Sequence, residues 1–362
     1  MSGSVYLRPL GRVTSPPGRI NAAPDRVLRL ANRDDVVFAA LEITQRGPGW
    51  SDRRVLSLED VAEFVAGQPA PVVRRCNSIL KNLAAPRGAI AGLSLDRPRI
   101  MGIVNVTPDS FADGGSHLTA ESAIAHALKL EEEGADILDI GGESTRPGAE
   151  PVSLGEELRR VMPVIEGLVG RTRARLSIDT RKAEVMRRAA LAGVHILNDI
   201  SALQHDAMSM RVAAETRLPV VLMHAQGDPR TMQRDPKYDN VLLDVYDVLE
   251  ARVEACLRAG ISRDRLIIDP GIGFGKAAAH NLELLSGLSL LHGLGVPLML
   301  GASRKSFIGA LTGAVDPTDR VPGSVAAALA GAMQGAHILR VHDVAATRQA
   351  LIIWQAATLG SA

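Results

Sequence analysis

The chain has 362 residues, 46% hydrophobic and 22% charged, a globular balance that excludes a disordered or fibrous polymer. Lys plus Arg number 41 against 40 Asp plus Glu, a net charge of +1, so no overall field recruits nucleic acid or an anionic membrane. Cys76 and Cys256 lie far apart without metal-ligand spacing, and there is neither a leader-like start nor a run of about 18 apolar residues; a soluble, cytoplasmic protein is expected.

Residues 1–97 have a different texture from the rest of the chain, with a Pro-containing start and scattered Arg. Val36 to Thr44 reads as a strand. Leu58 to Ala66 reads as a helix opening at Ser57, with Asp60 near the capping-box position. Arg87 to Pro98 reads as a connector. No chemical constellation appears in this stretch, so it is expected to be a small accessory or interface segment.

From Arg99 short apolar runs alternate with amphipathic stretches, the mark of βα units on a parallel sheet. Eight runs are visible: Ile100–Val104, Ile137–Ile140, Leu176–Ile178, His195–Leu197, Val220–Met223, Leu266–Ile268, Leu298–Leu300 and Ile338–Val341. Helical stretches fill the gaps at Ala120–Glu133, Leu154–Leu168, Lys182–Ala192, Asn240–Ala259, Leu282–Leu291, Gly323–Gln334 and Val344–Ala357. Gly134, Gly193, Gly260 and Gly335 are placed to close four of them. The count and span predict a (β/α)₈ TIM barrel over residues 98–362, preceded by the small N-terminal accessory segment. A doubly wound open sheet is the alternative.

Active sites of such barrels lie at the C-terminal ends of the strands. Here the strand ends read Asn105 to Asp109, Gly141 to Arg146, Asp179-Thr-Arg181, Asn198-Asp199, Met223-His224, Asp269-Pro270, Gly301 to Lys305 and Arg340-Val-His342. Singly, Asp179, Asn198 or Asp269 reads as an N-cap for the next helix. Convergence of so many polar groups on one mouth points instead to a ligand that satisfies them. A carboxylate such as Asp269 suits the amidine-like edge of a nitrogen-rich ring, Asn198 both donates and accepts, and Lys305 donates. Arg146, Arg304, Lys305, Arg340 and His342 make the mouth positive. Gly271 to Lys276 reads as a flexible turn able to offer N–H groups to phosphate, or as a tight turn that folds Phe274 over core or ligand. The Pro- and Gly-containing loops after the first two strands, Asn105–Asp113 and Ser144–Gly148, read as covers. His224 has no partner spacing for a metal and reads as structural, and Met223 as an apolar surface for a ring.

The segments IMGIVNVTPDSFADGG, DIGGESTRPGAEPVS, LSIDTRK, LNDIS, IIDPGIGFGK, GASRKSFIG and LRVHDV together resemble the dihydropteroate synthases, with Ala112 and Ala225 as departures that remove no charged or ligating group. The resemblance implies a transferase that condenses 6-hydroxymethyl-7,8-dihydropterin diphosphate with 4-aminobenzoate in folate biosynthesis. It implies that pyrophosphate departs before the amine adds. Asp179, Asn198, Asp269 and Lys305 would hold the pterin, with Met223 and Gly301 lining the slot. Asn105 would ligate Mg²⁺, Thr145, Arg340 and His342 would meet the diphosphate, and Arg146, Phe274 and Ser306 would surround the arylamine. A homodimer, with the Ala-rich helix Ser324 to Ala332 against a neighbour, and sulfonamide sensitivity are also implied. A pterin-dependent methyltransferase, a synthase for another arylamine and a non-catalytic pterin binder are the competing readings.

Overall fold

A computed structural model describes residues 4–11, 27–106, 116–144, 150–227 and 232–359. The expected cover loops fall largely on 107–115 and 145–149, outside the described residues, and Thr145 and Arg146 lie there too.

The first part of the chain forms a module with its own core. Strands β1 (Ser4–Leu10), β4 (Ala40–Gly47) and β5 (Trp50–Ser57) make an antiparallel sheet in the order β1-β4-β5, with β2 (Leu28–Arg29) and β3 (Val37–Phe38) as a separate short pair. The expected strand at Val36–Thr44 is therefore split at Ala39 between β3 and β4. Helix α1 (Leu58–Ala66) starts where expected, the Ser57 side chain accepting from Asp60 N–H at 3.2 Å. Helix α2 (Ala70–Ala84) had no counterpart in the sequence reading; its apolar positions Val72, Cys76, Ile79 and Leu83 recur at helical spacing and join Leu7, Phe38 and Ile43 in the core of the module.

The barrel strands are β6 (Arg99–Asn105), β7 (Ile137–Gly141), β8 (Arg175–Asp179), β9 (Ile196–Asp199), β10 (Val220–Met223), β11 (Leu266–Asp269), β12 (Met299–Leu300) and β13 (Ile338–Val341). They run parallel in the order β11-β10-β9-β8-β7-β6-β13-β12. The ends of that row meet: Ile268 bridges Leu298, and Ile268 N–H donates to Pro297 O at 2.9 Å. The sheet closes on itself as the run pattern predicted, so the open-sheet alternative is set aside.

Helices α3 (Ser116–Glu133), α4 (Leu154–Leu168), α5 (Ala183–Ala192), α6 (Ser209–Thr216), α7 (Val241–Arg258), α8 (Ala278–Ser286), α9 (Ser306–Thr312), α10 (Val321–Ala332) and α11 (Val344–Leu359) surround it. Helices α6 and α9, of 8 and 7 residues, were not anticipated, being about two turns long with little room for a period to show. The expected helix Leu282–Leu291 is instead α8 followed by 3₁₀ turns over Leu288–Leu294. All four anticipated terminal glycines sit at positive φ.

Alternation along each strand sends one set of side chains to the helices and the other into the barrel. The deepest inward layer is apolar: Met101, Ile137, Ile196, Val221, Ile267, Met299 and Ile338. The supposed connector does more than link. Ile90 and Leu93 exchange N–H···O bonds of 2.9 and 2.8 Å, and this small loop pushes Ile90 and Leu95 against that layer. The N-terminal end of the barrel is thus plugged by apolar side chains.

The module docks on the outside of the barrel. Tyr6 OH donates to the Asp247 carboxylate at 2.9 Å, Arg75 forms a two-pronged pair with Glu250 at 3.0 and 3.1 Å, and Asn82 donates to Gly293 O at 2.8 Å. Among the described residues no helix is long and apolar enough to cross a membrane. Ile90→Ala empties part of the plug and should lower stability by roughly 2–4 kcal/mol, read from urea unfolding; an unchanged midpoint would show that the plug does not pack as described.

Candidate active site

Asn105, Gly141, Asp179, Asn198, Met223, Asp269, Gly301 and Arg340 occupy the upper inward positions of the strands. Register places Asp179 beside both Gly141 and Asn198, and Met223 beside Asp269. The cap reading fails for Asp179 and Asn198. Helix α5 has Lys182 at its N-cap without a side-chain bond, and the turn after β9 is held by Asp199, which accepts from Ser201 N–H and Leu203 N–H at 2.7 and 3.1 Å. Asp269 caps no helix either, since α8 has Ala277 at its N-cap; one of its oxygens holds the turn by accepting from Gly271 N–H at 2.7 Å, while the other lies on the side of Gly301. A Cβ at Gly301 would fall 3.6 Å from Asp269 Oδ2 and 3.8 Å from Arg340 Cβ, so backbone alone lines the space between those two side chains.

One residue of this ring escaped the sequence reading. Asp139, midway along β7 and fully buried, accepts from Asn198 Nδ2 at 2.9 Å and from Arg340 Nε at 2.7 Å. Its signal was a carboxylate inside the apolar run Ile137-Leu-Asp-Ile140, with the same inward parity as Gly141. Arg340 also donates through Nη2 to Asp179 at 2.7 Å. One guanidinium is therefore clamped between two carboxylates. The Asn198 amide thus spends its NH₂ group on Asp139 and turns its carbonyl oxygen away.

Charge in this ring follows from burial. Burial pushes the carboxyl of Asp179 up to about 7, with Arg340 opposing and the charge of Asp139 adding to the rise. Burial likewise raises Asp269, against the Gly271 N–H and the Lys305 charge. Burial works against the charge of Arg340, but Asp139 and Asp179 overcome it and hold the guanidinium firmly protonated.

The turn after β11 differs from both a flexible loop and a phosphate cradle. Three of its N–H groups are already used: Gly271 to Asp269, Gly273 to Asn281 Oδ1 at 2.8 Å, and Phe274 to Gly271 O at 3.1 Å. Lys276 points inward and is buried, donating to Gly271 O and Phe274 O at 2.9 Å and meeting His224 Nδ1 at 2.9 Å. Burial lowers this ammonium to about 7; burial and then Lys276 lower His224 to about 3, so the imidazole is neutral and structural, as read from sequence. Gly271 and Gly275 must be glycine: both have positive φ, and a Cβ would fall 1.9 Å from His224 O and 2.4 Å from Gln226 O. The result is a rigid turn that sets the ring of Phe274 beneath Lys305, whose Nζ is 4.1 Å from the ring centroid.

The last two strand ends are tied together. Ser303 Oγ accepts from His342 N–H at 3.2 Å and bonds His342 Nδ1 at 3.0 Å. Arg304, expected to add charge to the mouth, is instead committed to Asp343 through bonds of 3.0 and 2.5 Å. Asn105 is half-buried at the end of β6, and Ser306 is exposed at the start of α9.

The fold is a closed barrel of the enzyme-bearing kind, with a polar, partly basic mouth at its strand ends, and the family model described as "Pterin binding enzyme" matches residues 101–342. The dihydropteroate synthase of Escherichia coli K12 is 50% identical over 264 residues, covering 73% of this chain and 93% of that protein. The Haemophilus influenzae dihydropteroate synthase is 50% identical over 265 residues, covering 73% and 95%. The Xanthomonas albilineans dihydropteroate synthase solved with 4-aminobenzoic acid superposes with a TM-score of 0.71 at 57% identity, covering 74% of this chain and 96% of that one. The same enzyme in complex with 7,8-dihydropteroate gives 0.67 at 54% identity, covering 73% and 95%. The chain belongs to the dihydropteroate synthase family of pterin-binding barrel enzymes, and is a transferase of a pterin-methyl group.

The raised carboxyl of Asp179 has a thermodynamic consequence. Its folded pKa lies above the unfolded value, so its contribution is fully present below about pH 4 and is lost as pH rises through about 7. The stability of wild type relative to Asp179→Asn should fall between pH 4.5 and 7.5, as read by urea unfolding at both values. A difference that stays flat or grows would mean that Asp179 is ionised throughout.

Proposed function

We propose that the mouth joins 6-hydroxymethyl-7,8-dihydropterin diphosphate to 4-aminobenzoate, giving 7,8-dihydropteroate and pyrophosphate. The observation that carries this reading is the inward set of Asp179, Asn198 and Asp269 at the strand ends, with backbone alone at Gly301 between Asp269 and Arg340 and with Lys305 over the ring of Phe274. These groups match the donors and acceptors along the edge of a pterin, with Met223 against its face. Buried carboxylates are worth more to such a ring than exposed ones, because little water competes for the same bonds.

Arg340 has its Nε and Nη2 on Asp139 and Asp179, so Nη1 is the edge it would turn to diphosphate oxygens, together with His342 and Thr145. Among the described residues no cluster of three His, Cys, Asp or Glu side chains could hold a metal. Mg²⁺ commonly takes only one or two protein oxygens and completes its shell with phosphate and water; Asn105, half-buried at the end of β6, would be the protein ligand. When bound, Mg²⁺ would neutralise charge on the leaving pyrophosphate.

The chemistry then needs no protein nucleophile. The C–O bond to diphosphate breaks, its electron pair leaves with pyrophosphate, and the methylene carbon becomes a cation stabilised by the electron-rich pterin and by Asp179 and Asp269. The nitrogen of the arylamine, a molecule that Arg146, Phe274 and Ser306 would surround, forms the C–N bond and gives up a proton to water. Sulfonamides, which mimic 4-aminobenzoate, would compete at Phe274. The reading extends to a cytoplasmic homodimer. Exposed Ile352 and Ile353 on α11, which packs on the Ala-rich α10, are apolar surface that a second copy would cover.

Purified protein with Mg²⁺ and the pterin diphosphate should release pyrophosphate in a manner dependent on 4-aminobenzoate; release unaffected by that amine would refute the assignment of the second substrate. Asp269→Ala should weaken binding of the pterin diphosphate at least ~100-fold, because the ring N–H groups lose their buried acceptor. Calorimetry giving the wild-type affinity would remove the pterin from this slot.

A further inference from the structure

The N-terminal module touches the barrel at several points, and one of them leads to the substrate turn. Arg46, near the end of β4, donates through Nη1 to Asp244 Oδ1 at 2.5 Å and through Nη2 to Asp247 Oδ2 at 2.6 Å, both carboxylates lying in the first two turns of α7. The other oxygen of Asp244 accepts from Asp239 N–H and Asn240 N–H at 3.0 and 3.1 Å. Those amides directly follow Tyr238, whose hydroxyl donates to Gly275 O at 2.8 Å. The Tyr238 ring packs edge-on against His280 at 5.0 Å and lies 6.1 Å from His224, the partner of Lys276. Gly275 and Lys276 are the end of the turn that carries Phe274.

Every link in this chain is directional. Arg46 tethers one oxygen of Asp244 with one nitrogen and anchors itself on Asp247 with another, so the second oxygen of Asp244 is held against the amides it caps, and with them the backbone that aims Tyr238. Tyr238 in turn holds a peptide group whose neighbour at Gly275 has no room for a Cβ. By contrast, Arg75 with Glu250, Arg33 with Ala336 O, and Asn82 with Gly293 O hold the module to the barrel without touching that loop. Arg46 lies outside the stretch matched by the family model, which begins at Met101. Its grip on Asp244 is a contribution of this module to the barrel.

We propose that Arg46, acting through Asp244 and Tyr238, is a positioning residue for the Gly271–Lys276 turn, and that the N-terminal module serves the reaction by bracing the wall on which the arylamine rests. The role of that wall rests on the function proposed above. The bracing itself does not, and it can be read without substrate.

The test uses Arg46→Ala in the full chain, with Tyr238→Phe, the double variant, and Arg54→Ala as a control on the exposed edge strand, where Arg54 pairs with Asp52. Amide hydrogen exchange of the segment 271–276 should quicken about ten-fold in Arg46→Ala and in Tyr238→Phe, and stay at the wild-type rate in Arg54→Ala. Because the two residues act in series, the double variant should exchange no faster than Tyr238→Phe alone. The KM for 4-aminobenzoate should rise roughly three- to ten-fold in Arg46→Ala, with kcat nearly unchanged. Wild-type exchange in Arg46→Ala, or effects that multiply in the double variant, would overturn the proposal. A protein that does not consume 4-aminobenzoate would sink the assigned substrate, while the exchange rates would still decide the bracing.

Discussion

Everything at the mouth depends on one guanidinium between two buried carboxylates. Asp139 and Asp179 stand on neighbouring strands of a narrow barrel, and two carboxyl groups so close and so dry cannot both carry charge without a cation between them. Arg340, reaching across from β13, supplies it. The same bonds settle the position of Asn198 through Asp139 and leave a single edge of Arg340 for a ligand. Removing one partner would strand the others, which makes this trio a unit and not three separate contacts.

Around that unit the barrel divides rigid from adaptable parts. The wall formed by the turn after β11 is fixed by a buried lysine whose donors are spent on carbonyls and on a neutral histidine, so its stiffness comes from satisfied polar groups in a dry place. Ser303 with His342, and Arg304 with Asp343, join the last two strand ends in the same way. Groups that would touch substrate are held by groups that would not, which is how a site keeps its geometry while it waits for a ligand.

Most of the barrel was legible in the sequence because parallel strands buried on both faces are short continuous apolar runs, and the helices between them are amphipathic and glycine-ended. Strand-end polarity then marked Asp179, Asn198, Asp269 and Arg340 by position alone. What escaped had physical reasons. Asp139 sits inside an apolar run, where a one-dimensional reading takes it for part of a strand. The Gly271–Lys276 turn was open to two readings, a phosphate cradle or a tight turn, because a Gly-rich stretch shows its composition and hides the destination of its N–H groups. Arg304 was counted as charge for the mouth because its partner, Asp343, comes from another strand end. In the module, α2 was missed although its apolar spacing is regular, and β1 and β5 owe their pairing to β4, which lies far from β1 in sequence.

The plug formed by Ile90 and Leu95 makes the barrel a blind well. Whatever lies deepest must enter first and leave last, past whatever sits above it. On the function proposed above, a molecule resting on the Phe274 wall without reacting would therefore act as a stopper, slowing escape of whatever lies below it and gaining apparent hold on the enzyme from a ligand it scarcely touches.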